Sequence, residues 1–113
     1  MNAGPTLQIR TEKTPEGYVL VLSGELDLAS AGVLDTAIAE LCIDGAERIL
    51  LEMEALAFMD STGLRSVLVG RELCEVNGCE LLVGGVSTQV ARLLDISGVG
   101  KQLTFLSERQ PEA

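Results

Sequence analysis

Hydrophobic and polar residues alternate at the start of the chain and predict two strands. Residues 7–11 (Leu-Gln-Ile-Arg-Thr) place their apolar side chains on one side, and the turn signal Pro15-Glu16-Gly17 follows them. Residues 18–22 (Tyr-Val-Leu-Val-Leu) are apolar throughout, as in a strand covered on both faces, and Ser23-Gly24 closes this run. The two segments predict an N-terminal β-hairpin.

The spacing of apolar residues then becomes helical. A first helix is predicted with Ser30 or Asp27 as its cap and with Asp44-Gly45 at its end. Its apolar positions lie three or four residues apart: Ala31, Leu34, Ile38, Leu41 and Cys42.

Two further helices are predicted later in the chain. One runs from about Thr62 to Val76 and ends at Asn77-Gly78. Apolar residues spread round this helix, which is typical of a deeply buried helix, although part of its surface is also a candidate partner-binding strip. The other helix follows the cap candidate Ser87 and ends near Gly98.

Short apolar runs between and after these helices predict the remaining strands, at residues 48–53, 79–83 and 103–106. Strands that alternate with helices after an initial hairpin are typical of an α/β fold with a mixed sheet of four to five strands. We expect the helices to pack mainly on one face of that sheet.

The chain has 113 residues, which fits a single domain over residues 1–113. The ordered core is predicted at about 6–106, and the polar residues 107–113 are predicted to be a mobile tail. Apolar residues make up 47% of the chain and aromatic residues only 3%, so the core must be aliphatic.

Charge and missing residue types exclude several functions. Lys and Arg number 8 against 17 Asp and Glu, a net charge of −9, which disfavours binding to nucleic acid or to an anionic membrane. A protein partner is the better expectation. The chain contains no histidine, and this excludes a Ser-His-Asp triad, a phosphohistidine relay and any zinc site with histidine ligands.

The three cysteines, Cys42, Cys74 and Cys79, form no C-x-x-C pair and lie in apolar stretches. We interpret them as buried thiols of a cytoplasmic protein. A zinc site is the second interpretation, but three cysteines leave a tetrahedral site one ligand short. No run approaches the ~18 apolar residues of a membrane span, so we expect no membrane association.

One segment combines several residue types with chemical potential: Phe58-Met59-Asp60-Ser61-Thr62-Gly63-Leu64. It marks the change from a strand to a helix, where Asp60, Ser61 and Thr62 are all capping residue types. One interpretation is a well-capped helix and nothing more. The other is that Ser61 accepts a phosphate, because a helix N-terminus favours an added anion. The acidic residues Glu25 and Asp27, predicted on the loop after the second strand, would lie nearby.

The chain resembles the bacterial anti-sigma factor antagonists, which consist of a single STAS domain. The resemblance covers nearly the whole chain and rests on three blocks in the same order. They are Gly24-Glu25-Leu26-Asp27, Phe58-Met59-Asp60-Ser61-Thr62-Gly63-Leu64, and the segment from Val90 through Ala91-Arg92-Leu93-Leu94-Asp95-Ile96-Ser97 to Gly98.

The resemblance implies a regulatory binding protein rather than an enzyme, with no cofactor. The unphosphorylated form would bind an anti-sigma factor that is also a serine kinase, and so free a sigma factor for transcription. Phosphorylation of Ser61, with Thr62 as the weaker alternative, would switch this off, and a PP2C-type phosphatase would reverse it. The implied surround of the phosphosite is Glu25, Asp27, Met59, Asp60, Thr62, Gly63, Leu64 and Arg65.

Two departures from the family pattern affect these expectations. Arg65 stands where many members have glycine, and it is either a solvated arginine or a group that reaches back to a phosphate or to Asp60. Residues 107–113 are too short and polar for the C-terminal helix of many members. The alternative functions are a stressosome scaffold subunit or the soluble partner of a lipid or anion transporter. We expect a monomer or a weak homodimer.

Overall fold

The computed structural model describes residues 6–106. The predicted tail at 107–113 lies outside them. In chain order the elements are β1 (Gln8–Thr14), β2 (Gly17–Leu26), α1 (Ala31–Ile43), β3 (Arg48–Met59), α2 (Ser61–Val76), β4 (Glu80–Val86), α3 (Thr88–Ser97) and a 3-10 helix (Val99–Gln102).

The four strands form one mixed sheet in the order β1-β2-β3-β4. β1 and β2 pair antiparallel as a hairpin, whereas β2 with β3 and β3 with β4 pair in parallel. Parallel neighbours need long crossovers, which α1 and α2 provide. The mixed sheet and the N-terminal hairpin predicted from the sequence are confirmed.

An aliphatic core joins the sheet to the helices, as the composition requires. Ile49, Leu51 and Met53 alternate along β3 and are fully buried. The same cluster includes Ile38 of α1 and Val67 of α2, together with buried residues of α3. Burying each such side chain contributes about 1.5–3 kcal/mol, so this cluster holds the helices to the sheet.

All four strands extend further than predicted, and β1 reaches Thr14 rather than Thr11. β2 continues through Gly24 and Glu25 to Leu26, and β3 continues to Met59. Their pairing shifts register between Val21 and Ser23 and again after Gly24. Such bulges break the two-residue alternation that predicts a strand from sequence, which is why the predicted ends were too early.

β4 also continues, through Gly84-Gly85 to Val86, where the sequence predicted a loop. Leu51 pairs with Val83 and Met53 with Val86, so β4 carries one extra residue opposite Glu52. The Glu52 carboxylate accepts a hydrogen bond of 2.9 Å from Gly85 N and occupies the space that a side chain at residue 84 would need. Glycine at residue 84 thus leaves room for the Glu52 carboxylate.

The predicted final strand at 103–106 is wrong. The structure has a single parallel bridge there, between Val83 and Phe105, with Val83 N donating to Thr104 O at 2.8 Å. The 3-10 helix uses the residues up to Gln102, and the chain then reaches the sheet edge for one contact only. Leu103 is nevertheless buried.

The helix ends follow local chemistry. Ser87 accepts a hydrogen bond from Val90 N and begins α3, and Gly98 ends that helix in the left-handed conformation, both as predicted. At α1, Ser30 holds the cap position, but its side chain makes no cap bond to the helix. α2 begins at Ser61, one residue before the predicted start, and its cap is Asp60.

Candidate functional site

The start of α2 is held by hydrogen bonds that converge on Asp60. The Asp60 carboxylate accepts from Gly63 N at 2.9 Å, and the Asp60 carbonyl accepts from Leu64 N at 3.0 Å. Asp60 N donates to the carbonyl of Leu26 at the end of β2, at 3.3 Å. Asp60 is therefore the N-cap of α2 and also fixes that cap to the sheet.

Ser61 is the first residue of α2, and its side chain is exposed. Within residues 6–106 its hydroxyl has no hydrogen-bond partner. Thr62 follows it and is half-buried. An oxygen at this place lies at the positive end of the helix dipole, next to N–H groups that the helix itself leaves unpaired.

Gly63 brings α2 unusually close to β2. A Cβ at this position would meet the carbonyl oxygen of Leu26, and it would lie 2.8 Å from Leu26 Cγ and 3.0 Å from Leu26 C. Real Cβ atoms do not approach other atoms so closely, so only glycine fits here. The position of Ser61 is thus set by direct backbone contact between a helix start and a strand end.

The acidic residues predicted beside the site occupy two different settings. Glu25 lies in β2, paired with Phe58 of β3, and not on a loop as the sequence predicted. Asp27 does follow the strand, and its carboxylate accepts hydrogen bonds from Ala29 N and Ser30 N at 3.1 and 3.2 Å. Since Leu26 contacts the start of α2, the turn containing Asp27 comes directly after that contact.

The remaining residues of the predicted surround divide by burial. Met59 and Leu64 are 1% and 5% exposed, and Gly63 is also buried, so these residues support the site from beneath. Arg65 is exposed. Among the described residues it forms no ion pair with Asp60 or with any other carboxylate.

Three further residues of this region lie outside the predicted surround of the phosphosite. Gln89 of α3 accepts a hydrogen bond from Met59 N at 3.0 Å and so fixes the end of β3 just before Asp60. Leu28 and Phe58 are exposed apolar residues, at 77% and 40%. A phenylalanine directly before the Met59-Asp60-Ser61 turn was a readable signal for an exposed contact, whereas nothing in the sequence marks Gln89.

The three cysteines are buried, as predicted, and the fold brings them together. Their sulfur atoms all lie within 4.8 Å of one another. Burial raises the pKa of the Cys74 thiol, and the two neighbouring thiols raise it further. Among the described residues this is the one cluster of potential metal ligands, and it lies at the far end of α2 from Ser61.

No helix within residues 6–106 is both long and apolar enough to cross a membrane.

Comparison with known proteins connects the chain to one family. The STAS domain family matches residues 8–110. The anti-sigma-B factor antagonist of Staphylococcus aureus is 31% identical over 102 residues, covering 90% of this chain and 94% of the relative. The anti-sigma F factor antagonist of Paenibacillus polymyxa is 37% identical over 99 residues, covering 84% and 82%.

Two solved structures of proteins named SpoIIAA have the same fold. The anti-sigma factor antagonist SpoIIAA in its unphosphorylated form superposes with a TM-score of 0.73 at 26% identity, covering 89% of this chain and 90% of that one. Bacillus SpoIIAA in the phosphorylated form superposes with a TM-score of 0.66 at 27% identity, covering 91% and 93%.

Proposed function

Because this chain belongs to the STAS domain family, with relatives that are anti-sigma factor antagonists, we propose that it is itself an anti-sigma factor antagonist switched by phosphorylation of Ser61. The unphosphorylated protein binds an anti-sigma factor with serine kinase activity in the cytoplasm and thereby frees a sigma factor for transcription. A PP2C-type phosphatase restores the binding form. The chain acts as substrate and binding partner, not as an enzyme.

The observation that carries this proposal is the setting of Ser61. The side chain is exposed at the first residue of α2, where a kinase has access to it. A phosphate there adds about −1.5 to −2 charges next to the helix N-terminus, which favours an anion. Asp60 and Gly63 hold this helix start in place, so the added charge need not disturb the fold.

The same phosphate changes what the surface can bind. Exposed apolar side chains of Leu28 and Phe58 lie in the segments on either side of the Leu26–Asp60 hydrogen bond. Exposed apolar residues of this kind suit a protein contact. A dianion introduced at the edge of such a contact must be desolvated or must face a partner's charge. Like-charge juxtaposition costs several kcal/mol, and each ~1.4 kcal/mol weakens binding tenfold.

Arg65 lies one helical turn after Ser61, on the same side of α2. It is exposed and forms no ion pair within the described residues. We therefore expect its guanidinium to pair with the phosphate once Ser61 is modified. This pairing would favour the phosphorylated state and slow its removal by the phosphatase.

The scaffold and transporter alternatives are not favoured, because the relatives at 31% and 37% identity are antagonists.

The first experiment tests phosphorylation. The protein is incubated with ATP and the anti-sigma kinase from its own cells, and phosphopeptides are located by mass spectrometry. We expect one phosphate on Ser61, loss of it in Ser61→Ala, and retention of it in Thr62→Ala, the matched neighbour. Phosphate on Thr62 alone, or none in the wild type, would refute the proposed acceptor.

The second experiment tests the switch. Binding of the anti-sigma factor is measured by titration calorimetry for wild type, Ser61→Ala and the phosphorylated protein. We expect Ser61→Ala to bind about as well as wild type and the phosphoprotein to bind at least tenfold more weakly. Equal affinity of the phosphorylated and unphosphorylated forms would reject phosphorylation as the control.

A further inference from the structure

Three thiols converge where α1 and α2 end and β4 begins. Cys42 lies in the last turn of α1, Cys74 in the last turn of α2, and Cys79 directly before β4. The sulfur atoms of Cys42 and Cys74 are 3.8 Å apart, and all three sulfurs lie within 4.8 Å of one another. Three sulfurs bound to one atom at about 2.3 Å would be about 3.4 Å apart in a pyramidal complex and about 4 Å apart in a planar one. The observed spacing therefore already approximates a three-sulfur site.

The backbone at each cysteine is fixed by hydrogen bonds. The Cys74 carbonyl accepts from Cys79 N at 2.8 Å, which ties two of the three residues together. The Cys42 carbonyl accepts from Gly45 N at 3.0 Å, in the turn that ends α1. The cluster is thus held by three separate segments, which keep the three sulfurs within 4.8 Å of one another.

The surroundings disfavour free thiolates. The C-terminal ends of α1 and α2 both reach the cluster, and helix C-termini carry partial negative charge. Cys74 is fully buried, while Cys42 and Cys79 are 9% and 5% exposed. Burial raises the pKa of both Cys74 and Cys79. Because the cluster is buried, an ion that leaves no net charge when three sulfurs bind it would suit the site.

Charge and ligand number together select the class of ion. Zinc in structural sites takes four ligands, and within residues 6–106 the cluster supplies three. A divalent ion on three thiolates would also leave a net negative charge inside the protein, which is costly. A trivalent ion that accepts three sulfurs leaves a neutral complex.

We propose that Cys42, Cys74 and Cys79 form a three-sulfur binding site for a trivalent thiophilic ion, with arsenite as the probe. The reaction is a condensation: neutral arsenous acid, As(OH)₃, exchanges its three hydroxyl groups for three thiols and releases three water molecules. Three As–O and three S–H bonds break, while three As–S bonds and three water O–H bonds form. No electron is transferred and no thiolate remains uncompensated.

Occupation of this site joins α1, α2 and β4 through one atom. The bound form therefore stabilises the folded protein, because the unfolded chain does not hold the three sulfurs together. The site lies at the opposite end of α2 from Ser61 and does not depend on the proposed phosphorylation.

The test uses the whole, fully reduced protein titrated with arsenite. Native mass spectrometry should show one arsenic atom added and three hydrogen atoms lost. The melting temperature should rise with arsenite concentration. No binding, or binding that consumes fewer than three thiols, would overturn the proposal.

Cys42→Ala and Cys79→Ala are the matched variants, each leaving two thiols. Both should bind arsenite at least tenfold more weakly and retain one hydroxyl on the arsenic. The melting temperature of each variant without arsenite shows whether that variant folds. If neither variant folds, the number of hydrogen atoms that the wild type loses on binding arsenite still tests whether three thiols take part. Wild-type affinity in either folded variant, or tighter binding of Zn²⁺ than of arsenite by the wild type, would contradict the three-sulfur, trivalent assignment.

Discussion

Replacing Gly63 by alanine tests the contact that positions the candidate phosphosite. The added methyl group would lie 2.8 Å from Leu26 Cγ and 3.0 Å from Leu26 C, and it would also meet the Leu26 carbonyl oxygen. A backbone carbonyl cannot rotate away as a side chain can, so the start of α2 must move off β2. This movement also stretches the hydrogen bond from Asp60 N to Leu26 O, now 3.3 Å long.

The change in the free energy of unfolding combines two destabilising effects with one stabilising effect. Overpacking of a tight site costs typically 1–3 kcal/mol, and we place this backbone contact in the upper part of that range. Loss of the Asp60–Leu26 hydrogen bond adds about 1 kcal/mol. Alanine is favoured over glycine in a helix by about 1 kcal/mol, which offsets part of the cost. We expect Gly63→Ala to lower the free energy of unfolding by about 2 kcal/mol.

Two other helical glycines provide controls in the same assay, urea denaturation at constant m-value. A Cβ at Gly32 in α1 has nothing within 4 Å, so Gly32→Ala should be neutral or stabilising by up to about 1 kcal/mol. A Cβ at Gly70 would meet only the Cδ1 end of Ile38, at 2.6 Å, which can rotate, so its cost should be smaller than that of Gly63→Ala. If Gly63→Ala unfolds at the same urea concentration as wild type or higher, the contact argument is refuted.

Three further changes test the site and the thiol cluster. Asp60→Ala removes the bond to Gly63 N and should destabilise the protein by about 1 kcal/mol in urea, whereas Asp60→Asn should retain most of that stability. Gln89→Ala leaves Met59 N without its partner and should cost about 1 kcal/mol, an effect that Gln89→Glu, which keeps the acceptor oxygen, should largely avoid. Burial raises the pKa of Cys74 above its ordinary value of 9.0, so the unfolded thiol ionises first and the free energy of unfolding falls as pH rises above about 9. Between pH 8 and pH 10 the urea midpoint should fall less in Cys74→Ala than in the wild type. An equal fall in both proteins would show that the buried thiol is not the cause of the pH dependence.

The sequence predicted the elements well where one periodicity continues without interruption. Residues 18–22 and the helix ending at Asn77-Gly78 match the structure closely, because burial and turn chemistry act on the same residues. The predicted strand ends were wrong at Gly24 and at Gly84-Gly85. Glycine is a turn signal in a sequence, but a bulged strand also requires it, and only the neighbouring strand shows which applies.

Only the local features of the candidate site were predictable from the sequence. A cap at Asp60 and an exposed Ser61 follow from local chemistry, since both belong to the first turn of α2. The role of Gly63 depends on Leu26, and that of Gln89 depends on Met59. These partners are thirty or more residues away in the chain, and no local pattern predicts which strand end will meet which helix start.

The two ends of α2 meet different physical requirements. Ser61 and Cys74 are separated by thirteen positions, or about 20 Å along the helix at 1.5 Å per residue. The first end has an exposed hydroxyl beside N–H groups that the helix leaves unpaired, and Gly63 packs its backbone closely against β2. The last end is buried and carries the negative pole of the helix, so it suits neutral thiols or a neutral three-sulfur complex better than free thiolates. The proposed phosphoserine and the proposed three-sulfur site thus lie at opposite ends of one helix, each in the setting that its charge requires.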